Sequence, residues 1–310
     1  MNNPHDKLFK ATFSHPDVVA SLIESLFPPE LSQAIQLDSL VLTTNSYIDD
    51  ELNEHFADLV YDCVLSDETP VQIALLLEHK SYTVAHPHLQ LLRYLLNRWQ
   101  QDVEQGVRLT PIIPVIIYHG REIWQHQPFA SSLAGKNALL RPFFPEFDYV
   151  LVNLTTLSEE QIFAFRSRFL TVSAALMKHR QDKQFADYVR QNIRRLMQGF
   201  ADDELMSVVL PTFLYLLETT DLTGTDIVVM FSTVSKQTEE AVMNGADQLR
   251  MEGRIEGQIA GQIAGRAEAS RKFVKGALKL GMDAKTIADT FEMSIAEVVA
   301  LIEQVRQEKP

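Results

Sequence analysis

A single cysteine, Cys63, stands in 310 residues, so no internal disulfide can form and a reducing compartment is implied. Long apolar runs are missing too. The longest resemble Ile73-Ala74-Leu75-Leu76-Leu77, far short of the roughly 18–20 residues a membrane helix needs. The opening Met1-Asn2-Asn3-Pro4-His5-Asp6 has neither a basic n-region nor an apolar h-region, which excludes a secretory signal. A cytoplasmic protein without membrane contact is the expectation. No Walker A loop and no nucleophile elbow occur, so ATP use and serine hydrolysis have no support. Positive charge is short as well: 28 Lys and Arg face 41 Asp and Glu, a net charge of −13. Such a chain repels polyphosphates at long range, which counts against a general nucleic-acid binder.

What is present describes a folded chain. Hydrophobic residues make up 46% and charged residues 22%, within the ordinary globular range. The length allows roughly two domains, and the pattern separates three regions. Residues 1–157 are mixed α/β. Val18–Leu26 is an amphipathic helix stopped by Pro28-Pro29, and Ile35–Leu42, Phe56–Leu65 and Val71–Glu78 are predicted strands. His88–Val103 is a predicted helix with Leu89, Leu92, Leu95, Leu96 and Trp99 on one side. Ile112–Tyr118 and Tyr149–Leu154 add further strands, which suggests a small mixed sheet with helices on its faces. In residues 158–238 the strand signal vanishes. Glu159–His179, Lys183–Phe200, Glu204–Leu217 and Asp226–Ser235 are helical by pattern, and nothing in this helical subdomain points to chemistry.

Residues 239–310 form a distinct tail. Gly253, Gly257, Gly261 and Gly265 recur every four residues, interleaved with Ile255, Ile259 and Ile263. As a helix, this costs about 4 kcal/mol relative to alanine at the four glycines, but the slowly winding stripe lets another backbone approach closely. A flexible linker is the rival, opposed by the regular isoleucines. Beyond it, Lys272–Leu280, a helix capped by Asp283, and Ile295–Val305 capped by Ser294 with Glu297 at the capping-box position have the layout of a helix-turn-helix. Residues 245–310 hold 10 basic and 10 acidic side chains, so the net charge lies wholly in residues 1–244. Arg271, Lys272, Lys275 and Lys279 concentrate positive charge on this tail, either as a solvated face or as a phosphate-contacting one.

The residues that carry chemistry sit on the second and third predicted strands. Alternation puts Asp58, Val60 and Asp62 on one face, and Glu78 and Lys80 on one face. A hairpin would bring Asp58 beside Glu78 at the open end of a buried strand. Two carboxylates with room for water suit a hard divalent cation such as Mg²⁺. A lysine two residues on can orient or deprotonate the attacking water and stabilise charge on a phosphorane-like transition state. Gln90 and Tyr94, four apart on the following helix, face this end; Gln90 is placed to hold a water or a phosphate oxygen. A satisfied Asp–Lys–Glu ion cluster is the plain alternative. His5 and Asp6 stand before the first helix and either approach the site or serve as an N-cap and a packing contact for Phe9. His86 and His88, separated by Pro87, make an improbable zinc pair without nearby cysteines. Tyr118-His119-Gly120 reads as a structural turn at a strand end.

Asp58…Glu78-x-Lys80 resembles the PD-(D/E)xK nuclease signature, and Gln90-x-x-x-Tyr94 resembles its downstream RecB-type motif. His5-Asp6-x-x-Phe9-Lys10, Ala57-Asp58-Leu59-Val60-Tyr61, Leu77-Glu78-His79-Lys80-Ser81 and Pro114-Val115-Ile116-Ile117-Tyr118-His119-Gly120 are similar to the recombination-promoting nuclease family, also labelled the YhgA-like transposase family. The resemblance runs from residue 5 to about 240, and the glycine repeat resembles that family's tail. It implies a restriction-endonuclease-like mixed-sheet α/β core, a Mg²⁺-dependent and Ca²⁺-stimulated DNA endonuclease linked to recombination or mobile elements, and self-association, as a homodimer if the active sites are paired. Asp58 and Glu78 carry over as metal ligands, Lys80 as the catalytic lysine, and Gln90 with them. Ala57 stands where many such nucleases have proline, a departure common in the fold. The alternative is a catalytically silent DNA-binding or regulatory interaction protein acting through its helical tail.

Overall fold

Apolar runs too short for helices and rich in β-branched residues build the sheet. The computed structural model describes residues 3–43, 57–78, 87–122, 124–127, 139, 143, 145–200, 202–247, 268, 271–278, 280, 282–290 and 294–307. Five strands lie side by side in sequence order: β1 (Val41–Leu42), β2 (Ala57–Val64), β3 (Pro70–Glu78), β4 (Ile112–Tyr118) and β5 (Val150–Asn153). β1, β2 and β3 pair antiparallel; β3, β4 and β5 pair parallel. The parallel step from β3 to β4 requires a crossover, and helix α4 (Pro87–Glu104) supplies it. This is a mixed α/β fold consistent with a restriction-endonuclease-like core.

The two faces of the sheet are covered differently. Val60, Ala74, Leu76, Ile116 and Tyr118 pack under Leu91 and Tyr94 of α4. The opposite face carries Tyr61, Ile73, Leu75, Leu77, Val115 and Ile117, all buried. It is tied to α1 (Pro4–Phe13) where the Tyr61 hydroxyl donates to the Phe13 carbonyl at 2.7 Å. α2 (Pro16–Leu26) and α3 (Pro29–Ala34) follow, each opening on proline, whose fixed φ and missing N–H suit a first helical position. The buried thiol of Cys63 lies on β2, on the α1 side.

The helical layer comprises α5 (Glu159–Phe163), α6 (Arg168–His179), α7 (Phe185–Leu196), α8 (Asp202–Thr219), α9 (Gly224–Ser232) and α10 (236–247). α1 packs on both α6 and α8; Thr12 and Ser173 share a buried hydrogen bond of 2.6 Å, and Lys7 pairs with Glu218 at 2.7 Å. The chain divides into two compact units, Met1–Met243 and Asn244–Pro310. In the second unit α11 (271–278), α12 (Ala284–Thr290) and α13 (Ile295–Gln307) surround Val274, Ala277, Ile287, Ala288, Val298 and Ile302. The predicted caps are present: Asp283 Oδ1 accepts from the Thr286 amide at 2.8 Å, and Ser294 and Glu297 cap each other's backbone. The glycine repeat lies outside the described residues.

Three local expectations need correction. Ile35–Leu42 is not one strand: Leu37–Ser39 makes a 3₁₀ turn and only Val41–Leu42 pairs as β1. Ser39 Oγ accepts from the Val64 amide and Gln36 Nε2 donates to the Leu65 carbonyl, so side chains take backbone groups that a ladder would have used. Glu159–His179 is two helices, because Ser167 caps a new one by accepting from the Leu170 amide. On α4, Leu89 and Leu96 are exposed while Leu91, Tyr94, Leu95, Arg98 and Asp102 are buried. Arg98 and Asp102 neutralise each other, which lets charged residues occupy the stripe that hydrophobicity alone assigns elsewhere.

Candidate active site

Strand register fixes where the candidate carboxylates stand. Asp58 pairs with Leu76 across β2 and β3, and alternation then puts positions 58, 76 and 78 on one face. Positions 58 and 78 are diagonal neighbours, at about 7–8 Å in a regular ladder. Glu78 ends β3 and pairs with Tyr118, which ends β4. The two acidic positions therefore meet at the carboxyl edge of the parallel pair, where ligands of open α/β sheets gather. Lys80 lies outside the described residues, as does His79.

Helix α4 roofs this face, and a buried polar network sets its position. Arg98 Nε donates to Gln72 Oε1 at 2.9 Å, and Gln72 Nε2 donates to Asp62 Oδ1 at 2.6 Å. Asp102 pairs with Arg98 and accepts from the Thr110 amide at 2.9 Å. Burial pushes the Asp102 carboxyl up, but the Thr110 amide and the Arg98 guanidinium outweigh it and hold it below the usual range. These contacts anchor the C-terminal half of α4 over the start of β3. Eight helical residues back from Arg98 is about 12 Å, and four strand residues on from Gln72 is about 13 Å. Gln90 thus falls at the level of the Leu76–Asp58 pair.

Gln90 is half-buried, and its Oε1 is buried with no hydrogen-bond partner among the described residues. A buried acceptor left unsatisfied costs about 1–3 kcal/mol and calls for an explanation. Tyr94, one turn on, is fully buried in the core beneath it. Buried aromatics pack beside the end of β4. Tyr118 meets Trp124 edge-on at 5.1 Å, and Trp124 Nε1 donates to the Tyr149 hydroxyl at 3.3 Å. His88, at the start of α4, contacts the Gln127 carbonyl at 2.5 Å and the Tyr149 ring at 5.6 Å. These contacts give His88 a structural part, while His86 lies outside the described residues.

On the other face of the same edge, His119 is fully buried and its ring lies 4.7 Å from that of His5. The Asn3 side chain, accepting from the His5 amide at 3.0 Å, caps α1; His5 does not. No motif spacing links residues 5 and 119, so pattern could not join them. In the tail, Lys272 and Lys275 are exposed on α11, but Lys272 pairs with Glu268 at 2.7 Å. Arg271 is half-buried, and Lys279 lies outside the described residues.

Residues 3–207 match the profile of a family described as "Putative transposase, YhgA-like". Recombination-promoting nuclease RpnA of Escherichia coli K12 is 26% identical over 258 residues, covering 81% of this chain and 85% of that protein. Recombination-promoting nuclease RpnD of Escherichia coli O157:H7 is 27% identical over 215 residues, covering 67% and 80%. A protein named inactive recombination-promoting nuclease-like protein RpnE, also from strain K12, is 25% identical over 304 residues, covering 96% and 97%. No solved structure matches. Among the described residues no helix is long and apolar enough to cross a membrane.

Proposed function

Because this chain belongs to the YhgA-like transposase family, we propose that it is a metal-dependent DNA endonuclease acting in recombination or mobile-element biology. Relatives named recombination-promoting nucleases support the reaction class. The observation that carries the proposal is the register that brings positions 58 and 78 onto one face, level with the unpartnered Gln90 Oε1.

A hard cation fits these donors: two carboxylates leave room for water, and a water in the site would satisfy Gln90. Asp58 and Glu78 would hold Mg²⁺, which supplies Lewis-acid stabilisation of phosphate charge when bound. Gln90 Oε1 accepts a hydrogen bond from the attacking water and so fixes its orientation toward phosphorus. Lys80 orients that water and stabilises the negative charge gathering on the phosphoryl oxygens. Ca²⁺ stimulation, pairing of protomers through the glycine-striped segment, and DNA contact through Arg271, Lys272, Lys275 and Lys279 belong to the same proposal.

A second reading has one specific support, a relative named inactive that aligns over nearly the whole chain. In it the fold is silent and the tail acts by binding. Nicking of supercoiled plasmid separates the two. The expected result is nicking with Mg²⁺ that EDTA abolishes, reduced about 10²–10³-fold in Lys80→Ala and at least as far in Glu78→Gln. Folded wild-type protein that cuts with no divalent metal at all would favour a different site. No cutting under Mg²⁺, Mn²⁺ or Ca²⁺ would favour the silent protein.

A further inference from the structure

The polar cluster beneath the carboxyl edge of the sheet has no part in the scheme above. His119 follows Tyr118 directly, and Tyr118 is the strand partner of Glu78. Alternation sends position 119 to the α1 face, away from the candidate site. There its fully buried ring meets His5 of the first turn of α1, at 4.7 Å between centroids and 46° between planes. The third member comes from the helical layer: the Tyr215 hydroxyl of α8 lies 3.0 Å from His5 Nδ1, with the rings 5.5 Å apart. Tyr215 is almost wholly buried, and that burial pushes its phenol up, so the hydroxyl keeps its proton.

Packing alone does not account for these residue types. Leucine or phenylalanine would fill the same space without the cost of burying imidazole nitrogens and a phenol. Two helices far apart in sequence meet at His5, which packs on His119, the residue that continues β4 past its pairing with Glu78. We propose that His5 is a positioning residue for the metal site: held by Tyr215 and packed on His119, it fixes the end of β4 and, through the Tyr118–Glu78 pairing, the strand backbone at Glu78. The inference rests on the assignment of Glu78 as a metal ligand. It gives the helical layer a share in the chemistry, since α8 supplies the residue that orients the clamp.

Outer partners that orient a metal ligand are typically worth 10–100-fold in metal affinity. The test is Mn²⁺ binding to the full-length protein, followed by electron paramagnetic resonance, which needs no turnover. His5→Ala is expected to weaken Mn²⁺ binding about 10–100-fold. Tyr215→Phe, which removes one hydroxyl and keeps the packing, should weaken it in the same direction by less. His5→Asn keeps a hydrogen-bonding group near the Nδ1 position and should recover part of the loss. A role in packing only would lower Tm and leave the Mn²⁺ affinity of the folded protein alone. Unchanged affinity in folded His5→Ala and Tyr215→Phe, with binding still lost in Glu78→Gln, overturns the inference and spares the metal site. Wild-type protein that binds no Mn²⁺, or binding that survives Glu78→Gln, overturns the metal site and the inference together.

Discussion

Asp102 shows how much of the candidate site depends on residues far from it. Its carboxylate is fully buried, paired with Arg98 and bonded to the Thr110 amide, and through Arg98 and Gln72 it ties α4 to β3. Removing one member of a buried pair strands the other, so Asp102→Ala is expected to destabilise the fold by about 3 kcal/mol, read as a lower urea midpoint at unchanged m. The same residue makes the protein acid-sensitive. Its folded pKa lies below the unfolded value, so its contribution is present above the ordinary Asp range of about 4 and is lost as pH falls through the folded pKa. Wild-type stability should therefore fall more steeply than that of Asp102→Asn between about pH 5 and pH 2. Gln90 is the opposite case. With no hydrogen-bond partner for its Oε1 among the described residues, Gln90→Leu should leave Tm equal or higher while plasmid nicking falls.

At the scale of elements, helix α6 carries a simple test. Ser167 accepts from the Leu170 amide at its start, and its own amide donates to Ser21 Oγ at 3.0 Å. Ser167→Ala is expected to cost about 1 kcal/mol in thermal unfolding. That cap also explains an error of pattern: hydrophobic spacing runs on through Ala164–Arg166, and nothing periodic marks where one helix ends. The strands were legible because each is a short apolar run bounded by turn residues; β2, β3, β4 and β5 all fall within a residue or two of expectation. The carboxylate positions were legible for the same reason, since alternation and one hairpin suffice to put 58 and 78 on a face. What stayed hidden depends on pairing across distance. The buried stripe of α4 was misassigned because Arg98 and Asp102 are acceptable inside only as partners. His5, His119 and Tyr215 come together only once α1 and α8 are docked on the sheet.

At the scale of the molecule, charge and architecture pull in different directions. The whole negative excess lies in residues 1–244, together with the candidate site, while the tail is neutral overall. DNA that reaches the site must do so against that field, helped by cations and by local basic groups. Mg²⁺ is therefore expected to act twice, in the site and as a counterion, so that nicking falls when NaCl is raised from about 50 to 200 mM and recovers in part with more Mg²⁺. Neutralising Lys272 and Lys275 together should weaken DNA binding measured by filter retention and make it less salt-dependent if the tail contributes, and leave Mn²⁺ affinity untouched. Cys63 is the sole cysteine, it is buried, and burial with the neighbouring Asp62 charge pushes its thiol up to about 11. In the folded protein it should remain silent to maleimide and iodoacetamide at neutral pH. A cysteine placed by mutation on an exposed position of α11 or α4 would then be the one reactive thiol, so a fluorophore or spin label can report on either unit without removing the native residue.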